Sequence, residues 1–207
     1  MRRAPVLKYG NGRPIETVMC EGDWVNDSAL LLIDIQKGFD DPSWGNRNNP
    51  GAEEKIALLL SFWRGHSRPV IHIQHCSLEP GSSLAPGHPG CEFKDETKPI
   101  GAERQFKKTV NSAFIGTHLE AHLRARGIDR LVIVGLTTDH CISTSTRMAG
   151  NLGFDVTLVS DATATFDRKG HDGAHHSADE IHAIHLASLN NEFCRVKSTA
   201  EVLGEHT

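Results

Sequence analysis

Four consecutive branched aliphatic residues at positions 131–134 are followed by a glycine and, six residues after that glycine, by Cys141. Such a run predicts a strand buried on both faces, as in the parallel sheets of α/β proteins. Thr138 and Asp139 are residue types that begin helices, and residues 142–149 are small and apolar enough to continue one. The sequence therefore predicts that Cys141 lies where a central strand passes into a helix.

This position gives Cys141 two possible roles. Unpaired backbone N–H groups and the positive end of a helix dipole favour a thiolate and can hold an oxyanion, so Cys141 is a candidate nucleophile. The alternative is a small buried hydrophobic side chain, as lone cysteines often are. The choice depends on which other residues reach the same edge of the sheet.

Strands and helices alternate along the rest of the chain. Strands are predicted at 28–35, 69–75, 105–110, 131–136, 154–160 and 194–197, and helices at 53–64, 115–126, 178–191 and after Cys141. This alternation predicts an α/β fold, a three-layer α/β/α sandwich around a six-stranded, mainly parallel, doubly wound sheet. In such folds ligands bind at the carboxyl ends of the strands.

The domain is expected to span residues 28–207, with residues 1–27 as an amino-terminal arm packed on it. Residues 76–104 are rich in proline and glycine and predict a long loop. Because a loop of that length inside a compact domain is usually functional, it is expected to form a lid or a wall of the site. A second subunit covering the site is the alternative.

Composition excludes several classes of protein. The chain has 22 Lys and Arg against 26 Asp and Glu, in no long runs, so neither nucleic-acid nor membrane-surface binding is expected. Its five cysteines are far apart, which argues against a disulfide framework or a zinc ribbon and favours the reducing cytoplasm. No segment has the length and apolarity of a signal peptide or a membrane span.

Three reactive side chains fall at the carboxyl ends of predicted strands. Asp34 ends the first strand, Lys108 lies at the end of the third and Cys141 follows the fourth. A carboxylate, an amine and a thiol at one edge of a sheet can serve as base, charge stabiliser and nucleophile. Taken singly, Asp34 could cap a turn and Lys108 could face solvent. That all three residues fall at strand ends by chance is less probable than that they form an active site.

These motifs resemble the isochorismatase-like cysteine hydrolase superfamily, and the resemblance covers residues 28–203. The matching segments are Leu31–Gln36 with Gly38 and Phe39, Lys108 with Ser112–Phe114, Gly135–Cys141, Asp161–Ala162 and Ser177–Asp179.

The resemblance implies a catalytic triad of Cys141, Asp34 and Lys108. It also implies a non-proline cis peptide before Thr137, which directs the backbone N–H groups of Thr137 and Cys141 at the reacting carbonyl oxygen. Members commonly form homo-oligomers, so a dimer or tetramer is expected.

The branches of this superfamily differ at residues that can be compared here. Isochorismatases proper lack the nucleophilic cysteine, so Cys141 argues against vinyl-ether cleavage. Nicotinamidases add a metal site with an Asp-x-His motif, which the stretch from His72 to Ser77 does not contain. His72 and His75 are three residues apart on a strand and point to opposite faces, so they cannot share one metal. We therefore predict no metal and no other cofactor, with a metal-assisted amidase of the nicotinamidase type as the alternative.

The predicted reaction is hydrolysis of a C–N bond in a small amide or carbamoyl compound through a thioester, with release of ammonia or an amine. A nucleotide-binding oxidoreductase is disfavoured because the first strand is not followed by Gly-x-Gly-x-x-Gly. A non-catalytic protein that keeps the fold is disfavoured by the intact set of three reactive residues.

The substrate pocket is expected to be small and partly apolar. Its predicted lining is Phe39, Trp44, His75, Phe114, Leu136, His140, Phe166 and His171. Arg47 and Arg147 are the nearest candidates for binding a substrate carboxylate, and ordinary surface charge is the alternative for both. The predicted substrate is neutral or carries one negative charge.

Overall fold

The computed structural model describes residues 28–204, so the arm predicted for residues 1–27 lies outside the described residues. The strands are β1 (Ser28–Ile33), β2 (Val70–His75), β3 (Arg104–Lys108), β4 (Arg130–Leu136), β5 (Asp155–Ala164), β6 (Arg168–Lys169), β7 (His175–His176) and β8 (Arg195–Lys197). The helices are α1 (Ala52–Gly65), α2 (Leu119–Ala125), α3 (Ser143–Asn151), α4 (Ala178–Leu189) and α5 (Thr199–Gly204).

Six strands form one parallel sheet in the order β3-β2-β1-β4-β5-β8. The chain winds outward from β1 through β2 to β3, and then returns to place β4 on the other side of β1. The winding therefore reverses between β1 and β4, and a crevice at their carboxyl ends is the expected ligand site. The predicted six-stranded, doubly wound sheet is confirmed.

Alternate residues of the central strands enter two separate apolar layers, because successive side chains of a strand point to opposite faces. Leu31 and Ile33 of β1 pack with side chains of α2, α3 and α4 on one face. Leu30 and Leu32 pack on the other face against α1 and α5. This arrangement is the predicted three-layer α/β/α sandwich.

Some boundaries differ from the sequence prediction. The helix predicted at 115–126 begins at Leu119, because Gly116 adopts a positive φ of 71° and residues 111–118 form turns. Ile115, expected on the buried face of that helix, is 52% exposed. The polar loop predicted at 168–176 contains the short antiparallel pair β6 and β7.

The two long loops pack on each other. Residues 76–104 contain short 3-10 turns at Pro89–Cys91 and Asp95–Thr97, and residues 36–50 contain two more. The Lys37 N–H donates to the carbonyl of Glu92 at 2.9 Å, and the Lys94 N–H donates to that of Ile35 at 3.0 Å. No helix within residues 28–204 has the length and apolarity needed to cross a bilayer.

Candidate active site

The three side chains predicted to act together meet at the carboxyl edge of the sheet. The Nζ of Lys108 lies 2.6 Å from Oδ2 of Asp34 and 3.2 Å from Sγ of Cys141. Lys108 extends from β3 past the end of β2 to reach residues that follow β1 and β4, on either side of the point where the winding reverses. All three side chains are buried.

Asp34 is the first residue after β1. Its backbone has a φ of 55°, in the left-handed region that non-glycine residues rarely adopt. Its Oδ1 is buried and has no hydrogen-bond partner among the described residues. Burial raises the pKa of the Asp34 carboxyl, and the neighbouring Lys108 ammonium opposes that rise. The carboxyl is therefore a stronger base than an exposed aspartate.

His75, the last residue of β2, also contacts Lys108, since β2 and β3 pair these two residues in register. Nδ1 of His75 lies 2.9 Å from Nζ of Lys108. A lysine ammonium can only donate, so Nδ1 accepts and the ring proton lies on Nε2. Burial, and after it the charge of Lys108, lower the pKa of His75 to about 4. His75 is thus a neutral acceptor at neutral pH.

The segment that carries Cys141 departs from regular helix geometry. The Leu136–Thr137 peptide bond is cis, as the resemblance implied. Residues Thr138–Ile142 form a π-helical turn that continues into α3. The carbonyl of Thr137 accepts from the N–H of His140 at 3.2 Å and of Ile142 at 3.1 Å. In an α-helix the donor to that carbonyl would be the N–H of Cys141.

Electrostatics keep Cys141 protonated in the resting site. Burial first, and then the negative charge of Asp34, raise the pKa of the Cys141 thiol, while Lys108 opposes them. Sequence reasoning left the direction of this shift open. The structure gives a neutral thiol beside a carboxylate that has a raised pKa of its own.

Asn111 is a site residue that sequence reasoning missed. Its Oδ1 lies 3.7 Å from Sγ of Cys141, and its side chain is exposed. Ser145, one helical turn after Cys141, fixes this segment to α3: its Oγ accepts from the N–H of Ala113 at 3.0 Å and donates to the carbonyl of Asn111 at 3.5 Å. No local signal in the sequence marks Asn111, because its contact with Cys141 depends on Ser145, which is 34 residues away in the chain.

Two residues of the π-helical turn, Thr138 and Asp139, are bound by groups outside it. The Oγ1 of Thr138 lies 2.8 Å from Nδ1 of the buried His182. Asp139 accepts from Nε of Arg168 at 2.7 Å and from Oγ1 of Thr165 at 2.5 Å. Neither His182 nor Arg168 was predicted, because both contacts join segments that are far apart in the sequence.

Several predicted pocket residues gather beside this turn. Phe39, Trp44 and Phe166 form an aromatic cluster in which the ring centroids of Trp44 lie 5.0 Å from Phe39 and 5.4 Å from Phe166. Leu136, next to Thr137, belongs to the same apolar cluster. Phe114 packs instead in the apolar layer that contains Cys141.

The two other predicted pocket histidines are exposed. His140 has a side chain that is 52% exposed and lies 3.5 Å from Asp139. His171 lies in the turn between β6 and β7, and within the described residues no hydrogen bond joins it to Asp34, Lys108 or Cys141.

The two arginines considered for a substrate carboxylate are engaged with protein groups. Arg47 makes a bidentate ion pair with Glu53, with N–O distances of 2.8 and 2.6 Å. Arg147 donates to Oγ of Ser188 at 2.8 Å, and its guanidinium lies over the ring of Phe193.

Within residues 28–204, one set of side chains has the chemistry and proximity of metal ligands. Asp34, His75 and Cys141 each offer one ligand atom, and these atoms lie within 4.8 Å of one another. His72 takes no part, since its Nε2 lies 2.8 Å from Glu103. The two histidines of β2 therefore have separate partners, as strand alternation predicted.

Comparison with known proteins identifies the family. The Isochorismatase domain model matches residues 28–199. The isochorismatase family protein YrdC of Bacillus subtilis (strain 168) is 47% identical over 177 residues, covering 86% of this chain and 95% of YrdC. The ureidoacrylate amidohydrolase RutB of Caulobacter segnis is 31% identical over 136 residues, covering 66% of this chain and 53% of RutB, so the match spans about half of that relative.

A solved structure agrees over nearly the whole chain. A protein from Chromobacterium violaceum, described as a hydrolase of the isochorismatase family, is 46% identical and superposes with a TM-score of 0.86, covering 95% of this chain and 98% of that one. The predicted fold and the predicted relationship are both confirmed. The chain belongs to the isochorismatase family of hydrolases.

Proposed function

We propose that this hydrolase cleaves the C–N bond of a small amide or carbamoyl compound through a thioester on Cys141. The observation that carries the proposal is the position of the Lys108 ammonium, within hydrogen-bond distance of both the Asp34 carboxylate and the Cys141 thiol. A buried acid, cation and thiol in mutual contact, at the point where the winding reverses, have the components of nucleophilic catalysis.

The first step is transfer of the thiol proton from Cys141 to Asp34. The raised pKa of Asp34 makes its carboxylate a better acceptor for that proton, and Oδ1 has no competing partner among the described residues. The thiolate forms as the substrate is attacked, because the resting group is a neutral thiol. Lys108 faces one negative charge before the transfer, on Asp34, and one after it, on the sulfur of Cys141. The net charge of the three buried side chains therefore does not change.

The oxyanion formed on the substrate is held by backbone N–H groups of Thr137 and Cys141. The π-helical turn supports this role. The Thr137 carbonyl accepts from the N–H of Ile142 and not from that of Cys141, so the N–H of Cys141 is not used in that bond. One such donor typically stabilises the transition state by about 3–4 kcal/mol.

Collapse of the tetrahedral intermediate breaks the C–N bond. Protonated Asp34 gives its proton to the departing nitrogen, which leaves as ammonia or an amine. Asp34, again a carboxylate, then takes a proton from the water that hydrolyses the thioester. The thiol of Cys141 is restored by the proton that Asp34 received.

The surroundings favour a neutral substrate. Arg47 and Arg168 are each paired with a carboxylate of the protein, and Arg147 donates to Oγ of Ser188. The aromatic cluster of Phe39, Trp44 and Phe166 packs with Leu136, the neighbour of Thr137. Asn111 supplies a carboxamide beside the nucleophile, and its donor and acceptor together complement an amide or a carbamoyl group. The name of RutB, a ureidoacrylate amidohydrolase, agrees with the amide or carbamoyl class.

Four further predictions stay predictions: the dimer or tetramer, the lid or wall formed by residues 76–104, and the substrate contacts of His140 and His171. Support for substrate contacts comes from Phe39, Trp44 and Phe166, which pack with Leu136, and from Asn111, whose Oδ1 lies 3.7 Å from Sγ of Cys141.

A screen for ammonia release tests the proposal. Wild type is incubated with nicotinamide, maleamate, carbamoyl amino acids, ureidoacrylate and biuret, next to Cys141→Ala and Cys194→Ala. Cys194 is a matched control, because it is as buried as Cys141 but packs near α4. We expect release from at least one neutral member of the panel, lost in Cys141→Ala and kept in Cys194→Ala. Release that survives in Cys141→Ala would contradict the proposed nucleophile.

A further inference from the structure

We propose that Asp34, His75 and Cys141 form a latent binding site for Zn²⁺, which the ammonium of Lys108 fills in the resting protein, so that Zn²⁺ inhibits the enzyme by displacing Lys108. This inference goes beyond the proposed hydrolase, because metal binding can be measured without any substrate.

The geometry around Lys108 carries the inference. Its Nζ lies 2.6 Å from Oδ2 of Asp34, 2.9 Å from Nδ1 of His75 and 3.2 Å from Sγ of Cys141. One cation is thus surrounded by an oxygen, a nitrogen and a sulfur. Zinc bonds to these atoms are about 2.0–2.3 Å long, so each ligand would move toward a zinc ion at the Nζ position by less than about 1 Å.

The three donors match the preference of zinc. A thiolate, an imidazole and a carboxylate together suit Zn²⁺ and Co²⁺, whereas Mg²⁺ and Ca²⁺ prefer oxygen ligands. Nδ1 of His75 already directs its lone pair at a cation, so binding needs no change of tautomer. Three protein ligands leave a fourth position for water, as in open zinc sites.

Neighbouring groups fix one of the ligands in advance. The buried side chain of Gln36 accepts from the N–H of His75 at 2.8 Å and donates to its carbonyl at 2.9 Å. This pair of bonds holds the end of β2 against the segment that follows β1. The backbone from which the His75 ring extends is therefore held in place.

Lys108 competes with the metal for the same space. Binding forms bonds from Zn²⁺ to the Cys141 sulfur, His75 nitrogen and Asp34 oxygen. The thiol proton passes to solvent, and Lys108 leaves with its proton still on Nζ. Because the ammonium of Lys108 is itself held by Asp34, wild type should bind Zn²⁺ weakly. Removing that ammonium should expose the three ligands.

Calorimetry with Zn²⁺ and absorption spectroscopy with Co²⁺ test the inference on Lys108→Ala, and Lys107→Ala serves as the matched exposed-lysine control. We expect Lys108→Ala to bind one Zn²⁺ at least roughly tenfold more tightly than wild type and Lys107→Ala. Its Co²⁺ complex should show a thiolate-to-cobalt charge-transfer band. Adding Cys141→Ala should remove the band, and adding His75→Ala should weaken binding by roughly tenfold or more.

A folded Lys108→Ala that gains no Zn²⁺ affinity would overturn the inference, and so would a band that survives Cys141→Ala. If Lys108→Ala does not fold, wild type decides the question. Zn²⁺ should slow alkylation of Cys141 by iodoacetamide, as followed by mass spectrometry, and His75→Gln should lose that protection. Equal alkylation rates with and without Zn²⁺ in wild type would then refute the site.

Discussion

Lys108 and Asp34 form an ion pair of 2.6 Å in which neither side chain is exposed to solvent. Lys108 is the last residue of β3 and Asp34 follows β1, and these strands are not adjacent, since β2 lies between them. Desolvation of two charges is costly, and such a pair is weak grounds for expecting stability. Lys108 also lies 3.2 Å from Sγ of Cys141, and the role we propose for it is chemical: its cation balances whichever of the two acidic groups is ionised.

Removal of the Lys108 charge should therefore affect both activity and folding. In Lys108→Ala, Asp34 stays buried without its cation, and we expect turnover to be lost and the free energy of unfolding to fall by about 3–5 kcal/mol. Lys107→Ala changes an exposed neighbour and should leave both quantities near wild type. Urea unfolding and steady-state turnover measure the two effects. Near-normal turnover in folded Lys108→Ala would exclude the charge-balancing role proposed for Lys108.

Asp34→Asn should abolish activity at every pH, because the base itself is gone. In wild type, activity should fall as the pH falls through the pKa of Asp34, since only the carboxylate can accept the thiol proton. Burial raises that pKa, so the acid limb should lie above the value of about 3.9 typical of aspartate. The pH profile of kcat/KM measures this directly. An acid limb that persists unchanged in Asp34→Asn would assign it to another group.

Asn111→Ala should weaken the reaction without unfolding the protein, because the side chain is exposed while the backbone is held by Ser145. Loss of one substrate hydrogen bond is worth about 1 kcal/mol, which corresponds to a fall of several-fold to tenfold in kcat/KM. The control is Val110→Ala, a change at the preceding, exposed residue. Equal kcat/KM in the two variants would exclude a substrate contact at Asn111.

The sequence could predict which residues stand at strand ends, and parallel strands then bring those residues to one edge of the sheet. For this reason the sequence predicts that Asp34, Lys108 and Cys141 lie together. It could not predict that His75 contacts Lys108, because that contact depends on the register that pairs β2 with β3. A shift of one residue would turn His75 to the opposite face.

Other features depended on contacts between distant segments. Asn111 reaches Cys141 because Ser145 ties the turn after β3 to α3, and nothing local to Asn111 indicates this.

The aliphatic spacing of Ile115, Leu119 and Leu123 suggested a longer helix than α2. The left-handed backbone of Gly116 delays the start of α2 to Leu119. Periodicity describes which side chains are apolar, but it does not show where the backbone turns.

Chelators should not inhibit the enzyme, since the proposed reaction needs no metal and a metal at the site would displace Lys108. After dialysis against EDTA, kcat/KM should equal or exceed that of untreated enzyme, and a control dialysis without EDTA accounts for losses on handling. Activity that is lost with EDTA and restored by zinc or manganese would contradict this prediction and indicate a metal-assisted amidase instead.

The central claim is that Cys141 is the nucleophile, and alkylation mapping tests it most directly. Enzyme is treated with limiting iodoacetamide, residual activity is measured, and the label is located by peptide mass spectrometry. Four described cysteines, at positions 76, 91, 141 and 194, are free and buried, so burial alone does not single one out. We predict that residual activity falls in proportion to the label on Cys141. Loss of activity that follows the label on Cys76 or Cys91, with Cys141 unmodified, would contradict the account.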